Sequence, residues 1–319
     1  MTTSSPRIGV VIPAHQAAAT VARAVQSVRE QTHAPAWVVV VDDGSTDETA
    51  QLARAAGATV IRQPNQGAAA ARHRGTTEHH ADAFAFLDAD DTWLPHFLHD
   101  ATQLLTQRPE VSLVMGRALE ARADGTQHLA PMFSDAELAH PLWGLAWHNL
   151  VPTSATVVPA WAYRRSGGFD SAFPGAATED LDLWLRLSSL GPFACTARPG
   201  VLRHVQPGSN SRRPEALARM LDLTLWTMAR HAERVRERAP WFKHVAMGHA
   251  WREGAKRALA NGLVGEARTQ AAHALRCNPA DREAWQVLAL TGAPEGTRAS
   301  LLAWRRHLQD QRARAVTSR

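Results

Sequence analysis

Closely spaced aspartates near residue 88 are the strongest sign of chemistry in this sequence. Asp88, Asp90 and Asp91 come directly after the apolar segment FAFL at 84–87. Carboxylates this close repel one another, and a hard divalent cation such as Mg²⁺ or Mn²⁺ relieves the repulsion while leaving coordination positions for phosphate oxygens. The segment therefore predicts a site for a metal ion and a phosphorylated ligand. An aspartate-rich turn that only caps the next helix is the alternative interpretation.

Two other apolar segments also end in polar residues. Residues 8–12 are followed by Pro13-Ala14-His15, and residues 37–41 are followed by DDGS at 42–45. In an open parallel sheet, ligands bind outside the carboxyl ends of the strands. We therefore expect these residues and the aspartates to lie at one edge of a sheet.

The elements that must position these residues alternate between strand-like and helix-like patterns, which is typical of a sheet wound with helices. The predicted strands cover residues 8–12, 37–41, 59–61, 83–87, 111–115 and 155–158. An amphipathic helix is predicted at 179–190. Ser45 and Glu48 have the spacing of a capping box, so a helix is expected to open there.

The sequence changes character near Pro214, after which nearly all of it has helical periodicity. Trp251 recurs as Trp285 at the spacing of one tetratricopeptide repeat, which indicates weak tetratricopeptide-like hairpins. We therefore expect one domain over residues 1–213 and a helical region over residues 214–319.

The composition is that of a soluble globular protein, since 45% of the 319 residues are hydrophobic and 20% are charged. No apolar signal segment precedes the first predicted strand, so we expect a cytoplasmic protein. The net charge of +5 comes almost wholly from arginine, which accumulates near the C-terminus. A solvated helix face is the first interpretation of this charge, and peripheral contact with the inner face of a membrane is the second. Nucleic acid is not expected, because no binding motif accompanies the charge.

Six motifs in chain order resemble glycosyltransferase family 2 over residues 7–211. They are IGVVIPAH, VVVVDDGSTDET, NQGAAAARHRG, FAFLDADDTWLP, GGFD and TEDLDLWLRL. The resemblance implies an α/β fold of the GT-A type, a Rossmann-like, mixed and mainly parallel sheet flanked by helices, with an α-helical C-terminal extension. It also implies that residues 1–213 are a catalytic domain, in which about 1–100 bind the nucleotide and about 101–213 the acceptor.

The resemblance further implies roles on the donor side. Asp43 would accept a hydrogen bond from the base of a uridine-type nucleotide, with Asp42 beside it, and Arg72 would approach the nucleotide. The segment Pro13-Ala14-His15 would flank the base, and its histidine is a departure from the tyrosine or asparagine that such enzymes often have there.

A divalent metal, Mn²⁺ or Mg²⁺, is implied at the aspartate-rich motif FAFLDADDTWLP. Asp88 and Asp90 would hold it, with Ala89 between them at the sugar phosphate. His204 is a further candidate ligand, although it comes one position early for the Arg-x-His pattern of many relatives, and Gln206 is the other candidate to reach the metal or diphosphate.

The resemblance identifies Glu179-Asp180 as the second acidic motif, in which Asp180 is the general base. A carboxylate in the first turn of a helix is stabilised in its ionised form by the helix dipole, so Asp180 is expected to accept a proton at neutral pH. A cap at the N-terminus of a helix is the alternative interpretation of this motif.

The implied reaction transfers a sugar from a nucleoside diphosphate, UDP in the first instance, to a hydroxyl acceptor with inversion of configuration. The acceptor would be a glycan, a lipid-linked molecule or a protein. Two alternatives stay open at this stage. One is a haloacid-dehalogenase-like phosphatase with Asp88 as nucleophile, although the lysine and second acidic pair of that class are not found. The other is a non-catalytic sugar-nucleotide-binding protein.

Overall fold

The computed structural model describes residues 5–121, 126–173, 178–204 and 214–296, apart from the side chains of 214–219. The chain divides into two compact units, Met1–Pro207 and Gly208–Arg319. The predicted domain boundary at residue 213 lies outside the described residues.

The first unit begins with alternating strands and helices. They are β1 (Ile8–Ala14), α1 (Val21–Arg29), β2 (Trp37–Asp43), α2 (Thr49–Ala55), β3 (Thr59–Gln63), α3 (Ala68–Thr77) and β4 (Ala83–Phe86). Strands β2 and β4 flank β1, and β3 lies beyond β2, all in parallel register. The first four predicted strands are confirmed.

The second half of this unit extends the same sheet. Its elements are β5 (Thr92–Trp93), α4 (Phe97–Gln107), β6 (Leu113–Ala121), β7 (Gln127–Leu129), α5 (Asp135–Ala139), α6 (Pro141–Trp147), a 3₁₀ turn (Thr153–Ala155), β8 (Thr156–Pro159), α7 (Ala160–Ser166), α8 (Glu179–Leu187) and β9 (Phe193–His204). Among the described residues the strand order is β3-β2-β1-β4-β8-β6-β9-β5, with β7 beside β6. The mixed sheet with flanking helices confirms the predicted fold class.

Two strand pairings bring distant segments to the edge of the sheet where β4 ends. Strand β8 runs antiparallel to β4 with Thr156 opposite Phe86, so the residues before β8 lie beside those after β4. Strand β5 runs antiparallel to β9 with Thr92 opposite Leu202, so the end of β9 lies beside the aspartate-rich turn. The aspartate-rich turn therefore lies between the residues before β8 and the end of β9.

Apolar side chains cover both faces of this sheet, because alternate residues of a strand point to opposite faces. Val10 packs with Val25 of α1 and Phe97 of α4 in one core. On the other face, the Phe169 ring contacts Phe86 with a centroid distance of 5.1 Å and Trp184 of α8 at 6.1 Å. These aromatic contacts fix α8, whose first turn carries the second acidic motif.

The predicted capping box at Ser45 and Glu48 is wrong. Helix α2 begins at Thr49, whose backbone N–H and hydroxyl both donate to the Asp47 carboxylate. Ser45 instead accepts a hydrogen bond of 3.0 Å from the backbone N–H of Gln16, which ties the end of β1 to the turn after β2. The serine hydroxyl is therefore used between strands and not within the helix.

The second unit is helical, as predicted, and its tetratricopeptide-like character stays a prediction. Its described helices are α9 (Pro214–Val235), α10 (Phe242–Ala260), α11 (Val264–Cys277) and α12 (Arg282–Gly292). Ala255, Ala267 and Val287 form a buried core between the last three helices. Trp251 of α10 stacks on His273 of α11 with a centroid distance of 4.6 Å. No helix in the described part of the chain is long and apolar enough to span a membrane.

Gly75 allows α3 to lie close to the sheet, and its replacement tests that contact. A Cβ on Gly75 would stand 2.4 Å from Cγ1 of Val11 in strand β1, so the helix or the strand would have to shift. Gly75→Ala should lower the free energy of unfolding by about 1–3 kcal/mol in urea titrations. Gly265→Ala in α11, where a Cβ meets no atom within 4 Å, is the control and should not be destabilising. Equal stability of both variants would contradict this account of α3.

Candidate active site

Arg72 joins the two acidic motifs. This residue of α3 donates from one terminal nitrogen to Oδ1 of Asp88 at 2.7 Å and from the other to Oε1 of Glu179 at 3.0 Å. The Arg72 side chain is 6% exposed, whereas Glu179 is 10% and Asp88 35% exposed. The turn after β4 and the first turn of α8 therefore meet across one buried guanidinium.

The surroundings of Arg72 keep it charged. Burial disfavours a guanidinium charge, but the Asp88 and Glu179 carboxylates outweigh burial and raise the pKa of Arg72. Its guanidinium carbon lies 5.3 Å from the centroid of the Phe169 ring. The Nε atom is buried without a hydrogen-bond partner among the described residues. Both terminal nitrogens are committed to carboxylates, so Arg72 orients the two motifs relative to each other.

A second link between the motifs was not predicted from the sequence. Thr153 donates from Oγ1 to Oδ2 of Asp180 at 2.9 Å, and Ser154 donates from Oγ to Oδ2 of Asp91 at 2.6 Å. The Ser154 hydroxyl also accepts from the backbone N–H of Asp88 at 3.4 Å. The available signal was a pair of hydroxyl residues directly before a predicted strand, but only the β4–β8 pairing shows which residues they face.

The carboxylates of the turn after β4 differ in their proton affinity. Burial would raise the pKa of Asp88, but Arg72 outweighs it and holds that pKa below its ordinary value. Burial and the Asp88 charge raise the pKa of Asp90 and raise the pKa of Asp91 to about 7. Asp91 is buried and also accepts from the backbone N–H of His204 at 3.1 Å. Asp88 and Asp90 are thus the more accessible members of the cluster, and Asp91 is a buried support.

Asp180 has a raised pKa, which departs from the expectation based on the helix dipole. Burial and the adjacent Glu179 raise the pKa of Asp180 to about 6, although hydrogen bonds from Thr153 and the Leu181 backbone lower it. The elevated basicity of this carboxylate suits a proton acceptor.

The predicted base-binding residues lie together at the ends of β1 and β2. The Asp43 carboxylate accepts 2.8 Å hydrogen bonds from the Gln63 side chain and from the backbone N–H groups of Gln66 and Gly67. The exposed His15 ring contacts the Asp43 carbonyl through Nδ1 at 2.9 Å. Most of the acceptor capacity of Asp43 is therefore used within the protein, and one lone pair on Oδ2 is left for a ligand.

Asp42 stands apart from this group. Its side chain is fully buried, pairs with Arg62 at 2.9 Å and accepts from the backbone N–H of Ser45 at 3.0 Å. Pro13 is half-buried at the end of β1, and the neighbouring Ala14 is buried, as is Ala89 in the aspartate-rich turn. Asp42 therefore fixes the turn that presents Asp43.

His204 ends β9 beside the aspartate-rich turn. Its Nε2 atom lies 3.2 Å from the Thr92 hydroxyl, and burial together with the Arg23 charge lowers the pKa of His204. In the described part of the chain, no group of three or more His, Cys, Asp or Glu side chains has the arrangement of a metal-binding cluster. Gln206 lies outside the described residues.

A cavity of about 190 Å³ opens next to this site. Its polar lining residues are Arg117, Glu120, Asn149 and Arg203, and its other walls are mainly apolar. The Asn149 amide lies 3.5 Å from Oδ1 of Asp180, so the cavity reaches the neighbourhood of the second acidic motif.

The fold and the paired acidic motifs agree with the comparison of this sequence with known families. A profile described as "Glycosyl transferase family 2" matches residues 9–169, which is half of the chain. The protein belongs to glycosyltransferase family 2. The matched segment contains the predicted donor-side residues and Asp88 and Asp90, and it ends before Asp180.

Individual relatives agree with this membership. The succinoglycan biosynthesis protein ExoU of Rhizobium meliloti is 43% identical over 114 residues, which are 34% of this chain and 32% of ExoU. ExoW of the same organism, also named for succinoglycan biosynthesis, is 42% identical over 110 residues, 32% of this chain and 34% of ExoW. An uncharacterised glycosyltransferase of Rickettsia typhi is 26% identical over 198 residues, 59% of this chain and 61% of that protein. The chain thus spans less than two thirds of the length of these relatives.

A solved structure shares the fold. Residues 1–349 of TarS from S. aureus, crystallised in complex with UDP-GlcNAc, align with a TM-score of 0.56 and 13% identity, covering 83% of this chain and 88% of that one. At this identity the likeness shows the fold alone.

The Arg72 bridge can be tested by its contribution to stability. Arg72→Met removes the cation between the Asp88 and Glu179 carboxylates, so the free energy of unfolding should fall by about 2–4 kcal/mol at pH 7, the partial exposure of Asp88 limiting the loss. Adding Glu179→Gln should recover part of the loss in urea titrations. Arg74→Met removes an exposed arginine of the same helix, paired with Glu78, and should cost at most about 0.5 kcal/mol. A similarly small loss for Arg72→Met would contradict the bridge.

Proposed function

We propose that this chain is an inverting glycosyltransferase that moves a sugar from a nucleoside diphosphate, UDP in the first instance, to a hydroxyl acceptor. Membership of family 2 supports the class of reaction. The observation that carries the finer proposal is the double link, through Arg72 and through Thr153-Ser154, between the acidic turn after β4 and the first turn of α8. A donor diphosphate and an acceptor hydroxyl need such groups side by side.

The donor base would bind where β1 and β2 end. The remaining lone pair of Asp43 is available to a base N–H, and the exposed His15 ring can flank the base with Pro13 and Ala14. The His15 ring is held by the contact of its Nδ1 atom with the Asp43 carbonyl at 2.9 Å, and the Asn65 amide nitrogen lies 3.5 Å from Nδ1 and 3.3 Å from Nε2 of the same ring. Asp42 would contribute indirectly, because it fixes the turn that presents Asp43.

Asp88 and Asp90 fit a Mg²⁺ or Mn²⁺ ion. Such ions bind through one or two carboxylates together with water and substrate phosphates, so a closed protein cage is not required. Asp90 is an exposed residue, and partial burial of its carboxyl together with the charge of Asp88 raises its pKa. A cation would remove the repulsion between the two carboxylates. When bound, the ion would neutralise charge on the departing diphosphate. His204 is the weaker candidate ligand, since its Nε2 atom contacts Thr92.

Asp180 would accept the proton of the acceptor hydroxyl. The oxygen would then bond to the anomeric carbon as the bond from that carbon to the diphosphate oxygen breaks, which inverts the configuration. Glu179 is committed to Arg72, so its role is to hold the first turn of α8 in place. The adjacent cavity beside Asn149 would admit the acceptor.

The phosphatase alternative loses its support. It would make Asp88 a nucleophile, but family membership accounts for the same motif. A non-catalytic sugar-nucleotide-binding protein would bind the nucleotide without transferring the sugar, so a measurement of transferase activity distinguishes it from the proposed enzyme.

Among acceptors, the names of ExoU and ExoW favour a glycan over a lipid-linked molecule or a protein. The proposal includes a cytoplasmic location, with or without peripheral contact at the inner face of a membrane. The C-terminal arginines that suggested this contact, within residues 298–319, lie outside the described residues.

Metal-dependent nucleotide binding tests the donor site. In calorimetric titrations with UDP, Mn²⁺ should strengthen binding to the wild type, and Asp90→Asn should weaken the Mn²⁺-dependent binding at least about tenfold, since even indirect partners of a metal matter this much. Asp135→Asn, which alters an exposed aspartate of α5, should bind like the wild type. UDP binding that is equal with and without Mn²⁺ would remove the metal from the proposal.

The pH dependence of turnover tests the base. A base works only when deprotonated, so kcat should fall tenfold per pH unit below about 6, the raised pKa of Asp180, and level off above it. Asp180→Asn should keep UDP binding but lose about 10²- to 10⁴-fold in kcat, measured as UDP release from UDP-sugars with added glycans or water as acceptor. An Asp180→Asn enzyme as fast as the wild type would eliminate the assigned base.

A further inference from the structure

Thr153 and Ser154 are neighbours in sequence that contact opposite sides of the site. The Thr153 hydroxyl donates to Asp180 at 2.9 Å, and the Ser154 hydroxyl donates to Asp91 at 2.6 Å while accepting from the backbone N–H of Asp88. Successive side chains of a 3₁₀ turn point about 120° apart, so adjacent residues can reach different partners.

The backbone of this pair is itself held on both sides. The Thr156 hydroxyl donates to the carbonyl of Thr153 at 3.0 Å, and the Trp93 indole N–H donates to the carbonyl of Ser154 at 2.6 Å. Trp93 is buried in the core, and Thr156 is paired with Phe86 of β4. The two hydroxyls are therefore presented from a rigid support at the edge of the sheet.

We infer that Thr153 and Ser154 act as a positioning pair, in which Thr153 orients Asp180 toward the acceptor while Ser154 holds the aspartate-rich turn toward the diphosphate. The inference rests on the proposed function, because it assigns these residues to that reaction. Oδ2 of Asp180 takes the Thr153 hydrogen bond, and Oδ1 takes one of 2.6 Å from the Leu181 backbone N–H. Oδ1 also contacts the Asn149 amide at 3.5 Å, so Oδ2 is the oxygen that keeps acceptor capacity for the substrate hydroxyl.

Thr153 favours the ionised form of Asp180, on which charged groups of several elements also act. On α8 itself, Asp182 is paired with Arg186. Glu179 on the same helix opposes the ionised form of Asp180, and Arg72 from α3 supports it. Helix α6, which lies against α8, has no ionisable residue, and α7 carries Tyr163, Arg164 and Arg165. Removal of the Thr153 hydroxyl takes away a donor to the carboxylate, so the midpoint of Asp180 should move to higher pH.

The base side of the inference is tested by direct titration of Asp180. Protein labelled with ¹³C at aspartate carboxyls is titrated by NMR, with the Asp180 signal assigned from its loss in Asp180→Asn. Thr153→Val should raise the midpoint by about one pH unit, and Thr153→Ser should restore it. Thr102→Val, which deletes a buried hydroxyl of α4 that donates to a backbone carbonyl, should leave it unchanged. Thr153→Ala replaces the valine variant if that one does not fold. An unchanged midpoint in the folded valine or alanine variant overturns the inference.

The donor side is tested by UDP titration in the presence of Mn²⁺. Ser154→Ala should weaken UDP binding about tenfold, and Ser154→Thr should restore it in part, whereas Thr153→Val should bind UDP like the wild type. Equal losses from the two hydroxyl deletions would indicate general loosening and overturn the division of roles. A fully active Asp180→Asn enzyme would instead defeat the proposed function, whatever the titration shows.

Discussion

The pairing of the buried Arg72 guanidinium with two carboxylates is the interaction on which the site depends. An unpaired charge in the interior is strongly unfavourable, so Arg72 can be buried only if Asp88 and Glu179 both reach it. This requirement sets the place of three elements. Helix α3 must lie close to β1, which Gly75 allows, the turn after β4 must present Asp88, and α8 must begin at Glu179.

One consequence is a division of chemical roles among nearby acids. Asp88 is ionised against Arg72, whereas burial and the charge of Asp88 raise the pKa of Asp90. Asp180 lies on the other side of Arg72, where burial and Glu179 raise its pKa to about 6. Low proton affinity suits a group that meets a metal and diphosphate, and higher affinity suits a group that takes a proton.

The sequence predicted the parts of this site that depend on local pattern. Apolar runs predicted strands β1 to β4. The polar residues that follow these strands lie at one edge of the sheet because the carboxyl ends of parallel strands meet there. Features that depend on long-range pairing were not predicted, such as the Thr153–Asp180 contact, which exists because β8 runs antiparallel to β4. The capping box failed for a similar reason, since Ser45 bonds Gln16 across strands. Strand β9 was missed because Pro199 and Gly200 interrupt its pattern.

A crystal of the protein grown with UDP and Mn²⁺ would test the central claim most directly, because the anomalous signal of manganese distinguishes the metal from water and other light atoms. The account predicts an anomalous peak beside the carboxylates of Asp88 and Asp90, with the diphosphate on it and the Asp180 carboxylate facing the same cleft across Arg72. A manganese peak away from these aspartates, or an Asp180 side chain separated from the diphosphate by the sheet, would contradict it.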